Sequence, residues 1–136
     1  MRKIILGLLV VVSLVGAKEY TKEDRINDMN EMAAAMNIIQ SGFFYNNYET
    51  VSAGVTQLSD AVSRVQPPLE ETTEKDIMAR YMNQKIQMSN KIVKKIKQKS
   101  LTILQRFKSG DRTQAVQAYT KIMGQCMKCH SEMRSW

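Results

Sequence analysis

Histidine, cysteine and proline are scarce in this chain. Its 136 residues include one histidine, His130, two cysteines and two prolines. With a single imidazole there is no second histidine for acid–base chemistry, and no serine or cysteine nucleophile has a base beside it. The composition therefore argues against an enzyme. The two prolines are adjacent, Pro67 and Pro68, and almost no stretch alternates apolar and polar residues as a half-buried strand does.

The N-terminus begins with a positively charged pair, Arg2 and Lys3, followed by an apolar run over residues 4–15 and the small residues Gly16 and Ala17. This is the pattern of a secretory signal peptide. The apolar run is about 12 residues long, whereas the alternative, an uncleaved membrane anchor, needs roughly 20 to span a bilayer. We therefore predict cleavage after Ala17, which leaves a mature domain over residues 18–136 in an exported, periplasmic protein.

The chain is basic, with 20 lysine and arginine residues against 13 acidic residues and a formal net charge of +7. Loss of Arg2 and Lys3 with the signal peptide leaves 18 basic residues against 13 acidic ones, a net charge of +5. An exported basic protein is suited to an acidic protein or an anionic membrane surface as its partner. No nucleic-acid-binding motif is present, and we expect no nucleic-acid partner.

Four stretches carry apolar residues at helical spacing, at about 21–43, 48–65, 73–108 and 112–134. Pro67 and Pro68 end the second stretch, Gly110 ends the third, and Asp111 is a suitable N-cap for the fourth. Four amphipathic helices with short connections predict an all-α fold, an antiparallel four-helix bundle. The residues predicted to face inward are Ile26, Met29, Met32, Met36, Ile39 and Phe43 on the first helix, and Val116, Tyr119, Met123, Cys126 and His130 on the last.

Both cysteines and the histidine stand within five residues, in the run Cys126-Met127-Lys128-Cys129-His130. This C-x-x-C-H spacing is the attachment signature of c-type haem. Two thiols add to the two vinyl groups of the porphyrin, and the histidine that follows becomes the proximal iron ligand. On a helix, positions i, i+3 and i+4 point to one side, so all three side chains would face the interior of the bundle.

Three other interpretations of this motif are weaker. A disulfide between residues three apart closes a very small loop and constrains little of the unfolded chain. A C-x-x-C redox pair is typical of a thioredoxin-like βαβ context, which the helical pattern does not provide. A zinc site needs a fourth ligand, and the chain has no further cysteine or histidine to supply it.

With this motif on its last helix, the chain resembles the class II cytochromes c, the family of cytochrome c′ and of low-spin cytochromes of the c-556 type. In that family the haem motif lies near the C-terminus, on the last helix of an antiparallel four-helix bundle. The resemblance implies that Cys126 and Cys129 form the thioether links to one covalent haem c and that His130 is its proximal ligand. Arg134, four residues after His130, matches a basic residue commonly found there.

The resemblance also implies that the first helix crosses the other face of the haem. In the family, either an apolar residue blocks the sixth coordination position or a methionine ligates the iron. The first helix offers Met29, Met32 and Met36, and we predict Met29 as the distal ligand, with Ile26 or Met32 facing the iron if the register differs by a turn. Methionine also commonly fills irregular cores, so most of these side chains are expected to be packing residues.

Three further residues are predicted to contact the haem. Arg25, one turn before Met29, resembles the family's propionate-pairing arginine, although a solvated first-turn charge is the simpler alternative. Tyr119 and Met123, on the inner face of the last helix, are predicted to wall the pocket.

Two functions follow as expectations. The first is a periplasmic electron carrier with His130 and a methionine as axial ligands. The second is a five-coordinate protein of the cytochrome c′ type that binds nitric oxide or carbon monoxide. A helical interaction module without haem is the third and weakest interpretation.

The partners are predicted less directly. The lysine run IVKKIKQKS, residues 92–100, is either a solvated helix face or a docking patch for an acidic redox partner. Members of the family are often homodimers through their first two helices. Phe43, Phe44 and Tyr45 therefore either serve such an interface or cap the core.

Overall fold

The computed structural model describes residues 20–65 and 77–133, and it confirms the predicted all-α four-helix bundle. The helices are α1 (Lys22–Phe44), α2 (Tyr48–Val65), α3 (Ile77–Lys108) and α4 (Arg112–Met133). Within these ranges there is no strand. Four parts of the sequence prediction lie outside the described residues. They are the signal peptide, the helix stop at Pro67 and Pro68, the start of the third helix at residue 73, and Arg134.

The helix ends follow local side-chain chemistry. Thr21 caps α1 in a capping box: its hydroxyl accepts from the backbone N–H of Asp24 at 3.1 Å, and the Asp24 carboxylate accepts from the backbone N–H of Thr21 at 3.0 Å. Asp111 caps α4 as predicted, since its Oδ1 accepts from the backbone N–H of Gln114 at 3.1 Å. Gly110, at φ +86°, provides the left-handed residue that ends α3.

The bundle consists of two antiparallel hairpins, α1–α2 and α3–α4, joined through contacts between α2 and α3. The α1–α2 pair approaches closely because two glycines lie in its interface. A Cβ at Gly42 would lie 2.7 Å from the backbone nitrogen of Val51, and one at Gly54 would lie 3.0 Å from the carbonyl oxygen of Ala35. At these two positions any side chain would push the helices apart.

Aromatic side chains fill the interior near the two short turns, residues 45–47 and 109–111, which we call the turn end. The ring of Phe43 lies 5.5 Å from that of Phe107 and 5.7 Å from that of Tyr119, measured between centroids. Phe43 therefore belongs to the core. Of the three aromatic residues predicted at this turn, Phe44 and Tyr45 are the exposed ones, at 79% and 80%.

The prediction that Val116 and Ile26 face the interior is wrong. Val116 is 44% exposed, because α4 presents its neighbours Ala115, Ala118 and Ile122 to the core instead. Ile26 is 48% exposed. Steps of three residues rotate by about 60° around a helix, so Ile26 lies about 120° from Met32 and outside the buried stripe.

Candidate cofactor site

A cavity of about 380 Å³ lies at the end of the bundle opposite the turns, and we call this the cavity end. Its volume falls within the range of about 300–1,000 Å³ that is typical of ligand and cofactor sites. Helices α2 and α3 contribute mainly aliphatic walls, while α1 and α4 contribute sulfur-containing side chains. The aliphatic walls are Val62 and Val65 on α2 and Ile92, Val93 and Ile96 on α3.

The three residues of the C-x-x-C-H motif all line this cavity from the last turns of α4. Their i, i+3 and i+4 spacing places them on one side of the helix, as predicted. Each of the three side chains is partly buried, and the two thiols are free. The structure thus brings Cys126, Cys129 and His130 together at one wall.

Burial gives both thiols weak acidity. It raises the pKa of the Cys126 thiol above its ordinary value, and the nearby Cys129 raises it further. Burial alone raises the pKa of Cys129. At neutral pH both residues are therefore protonated, apolar thiols, and they fit the apolar walls around them.

All three candidate methionines of α1 line the same cavity from the side facing α4. Met36 is the most buried, at 9% exposed, while Met29 and Met32 are partly buried. Met123 and Met127 of α4 stand at the more open side, at 47% and 65% exposed. The cavity is thus lined by soft thioether donors as well as by an imidazole.

Tyr119 and Met123 both line the cavity, and their role as walls of a haem pocket stays a prediction. The Tyr119 hydroxyl also donates to the Met36 carbonyl oxygen at 3.3 Å, which links α4 to α1 above the cavity. Burial, and then the proximity of Cys126, raises the pKa of Tyr119.

Arg25 is exposed and is not among the lining residues. Its pairing with a haem propionate stays a prediction.

A buried ion pair beside the cavity was missed from the sequence. Asp28 is 5% exposed. Its carboxylate accepts hydrogen bonds from Arg64 Nε at 2.6 Å and from the Tyr20 hydroxyl at 2.8 Å. Arg64 also contacts Glu31. The spacing of Asp28, seven residues before Ala35 and fourteen before Gly42, gives a signal only for its face of α1, and no sequence signal identifies Arg64 as its partner.

This network changes the acidity of two members. Burial, followed by the hydrogen bond to Asp28, raises the pKa of Tyr20 to about 12. The hydrogen bond to Asp28 also raises the pKa of Arg64. Arg64 is therefore a permanent cation at this end of the α1–α2 hairpin.

The donor set fits the haem that the motif and the resemblance imply. Two thiols three residues apart, an adjacent imidazole and apolar walls share one cavity, and thioethers line the helix opposite. Within residues 20–65 and 77–133, the cavity included, no group of three or more His, Cys, Asp or Glu side chains is arranged to hold a metal ion directly. No helix in that part of the chain is long and apolar enough to cross a membrane.

Comparison with family models, curated proteins and solved structures found no match to this chain.

Proposed function

We propose that the protein is a periplasmic c-type cytochrome that carries electrons through one covalently attached haem. The observation that supports the proposal is the shared cavity: Cys126, Cys129 and His130 line it from α4, and Met29, Met32 and Met36 line it from α1. The periplasmic location rests on the N-terminal signal pattern, and the cofactor rests on the C-x-x-C-H motif.

Each group in the cavity has a distinct role in this proposal. Cys126 and Cys129 hold the haem through thioether bonds, so that it is not lost between partners, and His130 supplies the proximal nitrogen. A thioether from α1, with Met29 as the first candidate, supplies the sixth ligand. The bound haem supplies a reversible one-electron couple, whose potential a thioether ligand raises. The aliphatic walls of α2 and α3 keep water away from the ligands.

Gas binding is the second candidate, because apolar walls and partly buried methionines also suit an open sixth position. Nitric oxide or carbon monoxide would then bind on the α1 side of the cavity, and Met29, Met32 and Met36 would be packing residues. The two candidates share the attachment residues and differ only in what faces the iron from α1.

Absorption spectra of the purified protein separate these functions. For the electron carrier we expect sharp, split bands on reduction and no response to carbon monoxide. A broad high-spin spectrum that shifts with carbon monoxide would establish the gas-binding function instead. If denatured protein releases the haem into organic solvent and titrates as two free thiols, covalent attachment is refuted and both functions fall.

Single methionine variants then assign the sixth ligand. Leucine replaces Met29, Met32 or Met36 in turn, and the expected result is that only one variant, at Met29 by our prediction, becomes high-spin. Met88→Leu is the matched control, because Met88 packs against the core and is not a cavity residue. If all three variants keep the wild-type spectrum, none of these methionines is the ligand.

The partner proposed for electron exchange is an acidic redox protein that docks on α3. This helix contains nine lysine and arginine residues and no acidic residue. Lys91, Lys94 and Lys95 are exposed, while Ile92, Val93 and Ile96 in the same turns line the cavity. A single helix, about 10–12 Å across, therefore separates the cationic surface from the cavity.

The rate of oxidation by the anion hexacyanoferrate(III) tests this surface at low and high salt. We expect Lys95→Glu to slow the reaction at low salt and to weaken its salt dependence. Lys108→Glu makes the same charge change on the same helix at the turn end and serves as the control. Equal effects of the two variants would show that net charge, not the α3 surface, sets the rate.

A further inference from the structure

The buried ion pair beside the cavity joins α1 to α2 at the level of the cavity. Asp28 and Arg64 form its centre, and Tyr20 and Glu31 complete it; we call these four residues the clasp. Asp28 is directly followed by Met29, and Glu31 is directly followed by Met32. On α2, Arg64 stands between Val62 and Val65, which both line the cavity. The clasp therefore holds the same turn of α1 that carries the first two candidate ligands, Met29 and Met32.

The two sides of α1 differ at this level. Toward α2 the helix is held by the 2.6 Å contact between Asp28 Oδ1 and Arg64 Nε. Toward α4, Met29 and Met32 line the cavity. The contacts that link α1 to α4, the Tyr119 hydrogen bond to Met36 and the ring contact of Phe43, lie further along the helix, towards the turn end. The hold of α2 on α1 therefore contributes to the distance between this turn of α1 and His130.

An ion pair with a buried carboxylate is an unusual way to hold two helices together. Taking a carboxylate out of water is costly, and an apolar pair of similar volume is often as stabilising or more so. The interface already uses small residues for close contact at Ala35, Gly42 and Gly54. What the ion pair adds is direction: the hydrogen bond from Arg64 Nε to Asp28 Oδ1, at 2.6 Å, favours one alignment of the two helices, whereas apolar contacts have no such directional preference.

We propose that the clasp positions the turn of α1 that carries Met29 and Met32. It sets the position of this turn along the helix axis, and its rotation about that axis, relative to His130. Asp28 and Arg64 are positioning residues in this proposal and do not touch the cofactor. The proposal rests on the proposed function for its consequence, the choice and strength of the sixth ligand. Its structural part, the placement of two methionines, is independent of haem.

Methionine methyl NMR of the full chain tests the structural part without haem. We expect Asp28→Asn and Arg64→Gln to shift and broaden the methyl signals of Met29 and Met32 and to leave that of Met88 in place. Asp60→Asn, an exposed carboxylate on α2, is the control. If the clasp acts as one unit, the double variant shows no larger shift than the stronger single variant. Unchanged Met29 and Met32 signals in Asp28→Asn, in Arg64→Gln and in the double variant would overturn the proposal.

The haem-loaded protein tests the consequence. We expect Asp28→Asn to lower the reduction potential or to convert part of the low-spin spectrum to high-spin, while Asp60→Asn changes neither. A wild-type potential and spectrum in Asp28→Asn would overturn the role in ligation. If Asp28→Asn does not fold, Arg64→Lys keeps the charge and loses the directional Nε bond, and the same shifts are expected there. A wild-type chain that carries no haem refutes the proposed function, and the NMR result still decides the structural part.

Discussion

The turn end and the cavity end of this bundle are formed by the same four helices, but their interiors are filled by different kinds of side chain. At the turn end, the rings of Phe107 and Tyr119 contact that of Phe43 in tilted and edge-to-face arrangements, and glycines bring α1 and α2 into close backbone approach. At the cavity end, methionines, cysteines and valines surround about 380 Å³ of space. The helices at the turn end are held by packing, whereas at the cavity end α1 is held to α2 by an ion pair.

The difference suggests a division of labour along the bundle. A close-packed aromatic core supplies stability and fixes how the four helices meet. Flexible thioether side chains adapt to irregular surfaces and supply soft ligands. Stability should therefore be most sensitive to change at the turn end, and spectroscopic properties should be most sensitive at the cavity end.

The largest expected effect is the loss of an aromatic ring from the turn end. Phe107 is 4% exposed, and Phe107→Ala should lower the free energy of unfolding by about 3–5 kcal/mol because it leaves a cavity in a close-packed core. Met123→Ala, at the cavity end and 47% exposed, should lower it by about 1 kcal/mol or less. Urea denaturation measures both. Equal losses would show that the two ends do not differ in packing.

The next effect concerns the ion pair, where the two partners should respond unequally. Arg64→Gln removes the cation beside the buried Asp28 carboxylate and leaves Tyr20 as a neutral donor to it, and we expect this to be the larger of the two losses of stability. Asp28→Asn should cost only about 1 kcal/mol, because the Arg64 side chain is 45% exposed and can be hydrated. Thermal or urea unfolding of both variants checks the order. The reverse order would mean that Asp28 is not the buried member of the pair.

Two glycines sharpen the comparison with effects of opposite sign. Gly42→Ala places a Cβ 2.7 Å from the backbone nitrogen of Val51, and we expect a loss of about 1–3 kcal/mol from overpacking. Gly124→Ala meets nothing within 4 Å on the exposed side of α4 and should stabilise the protein by about 0.5–1 kcal/mol, since alanine favours the helix. Unfolding curves for the pair give the signs directly. Destabilisation by both variants would show that helix propensity is not the determinant at Gly124.

Much of the fold followed from the sequence because helix ends are local. Asp111 and Gly110 mark their boundaries through contacts within a few residues, and these were predicted correctly. The gathering of Cys126, Cys129 and His130 on one side of α4 is likewise a property of a single helix. The rotation of a helix against its neighbours is not local. Val116 was predicted inside because its spacing fits, but the neighbouring Ala115 and Ala118 lie at the core.

The ion pair shows the same limit more sharply. Asp28 and Arg64 are 36 residues apart, and nothing in either local pattern indicates the other. A carboxylate on a helix near its N-terminus is ordinarily a solvated or dipole-stabilising charge. Only the approach of α1 and α2, which Gly42 and Gly54 permit, turns Asp28 into a buried interface residue.

The smallest effect is a pH dependence confined to the cavity end. The pKa of Tyr20 is raised to about 12 in the folded protein, whereas an unfolded tyrosine titrates near 10. A raised folded-state pKa means that the contribution of Tyr20 is fully present below about pH 10 and is lost as the pH rises towards 12. Tyr20→Phe should therefore be less stable than wild type at pH 8, and the gap should narrow between pH 10 and 12. Tyr45→Phe, at the turn end and 80% exposed, should show no such convergence. Parallel stability curves for wild type and Tyr20→Phe up to pH 12 would mean that the phenol does not donate to Asp28 in solution, and the ion pair would then lose its third member.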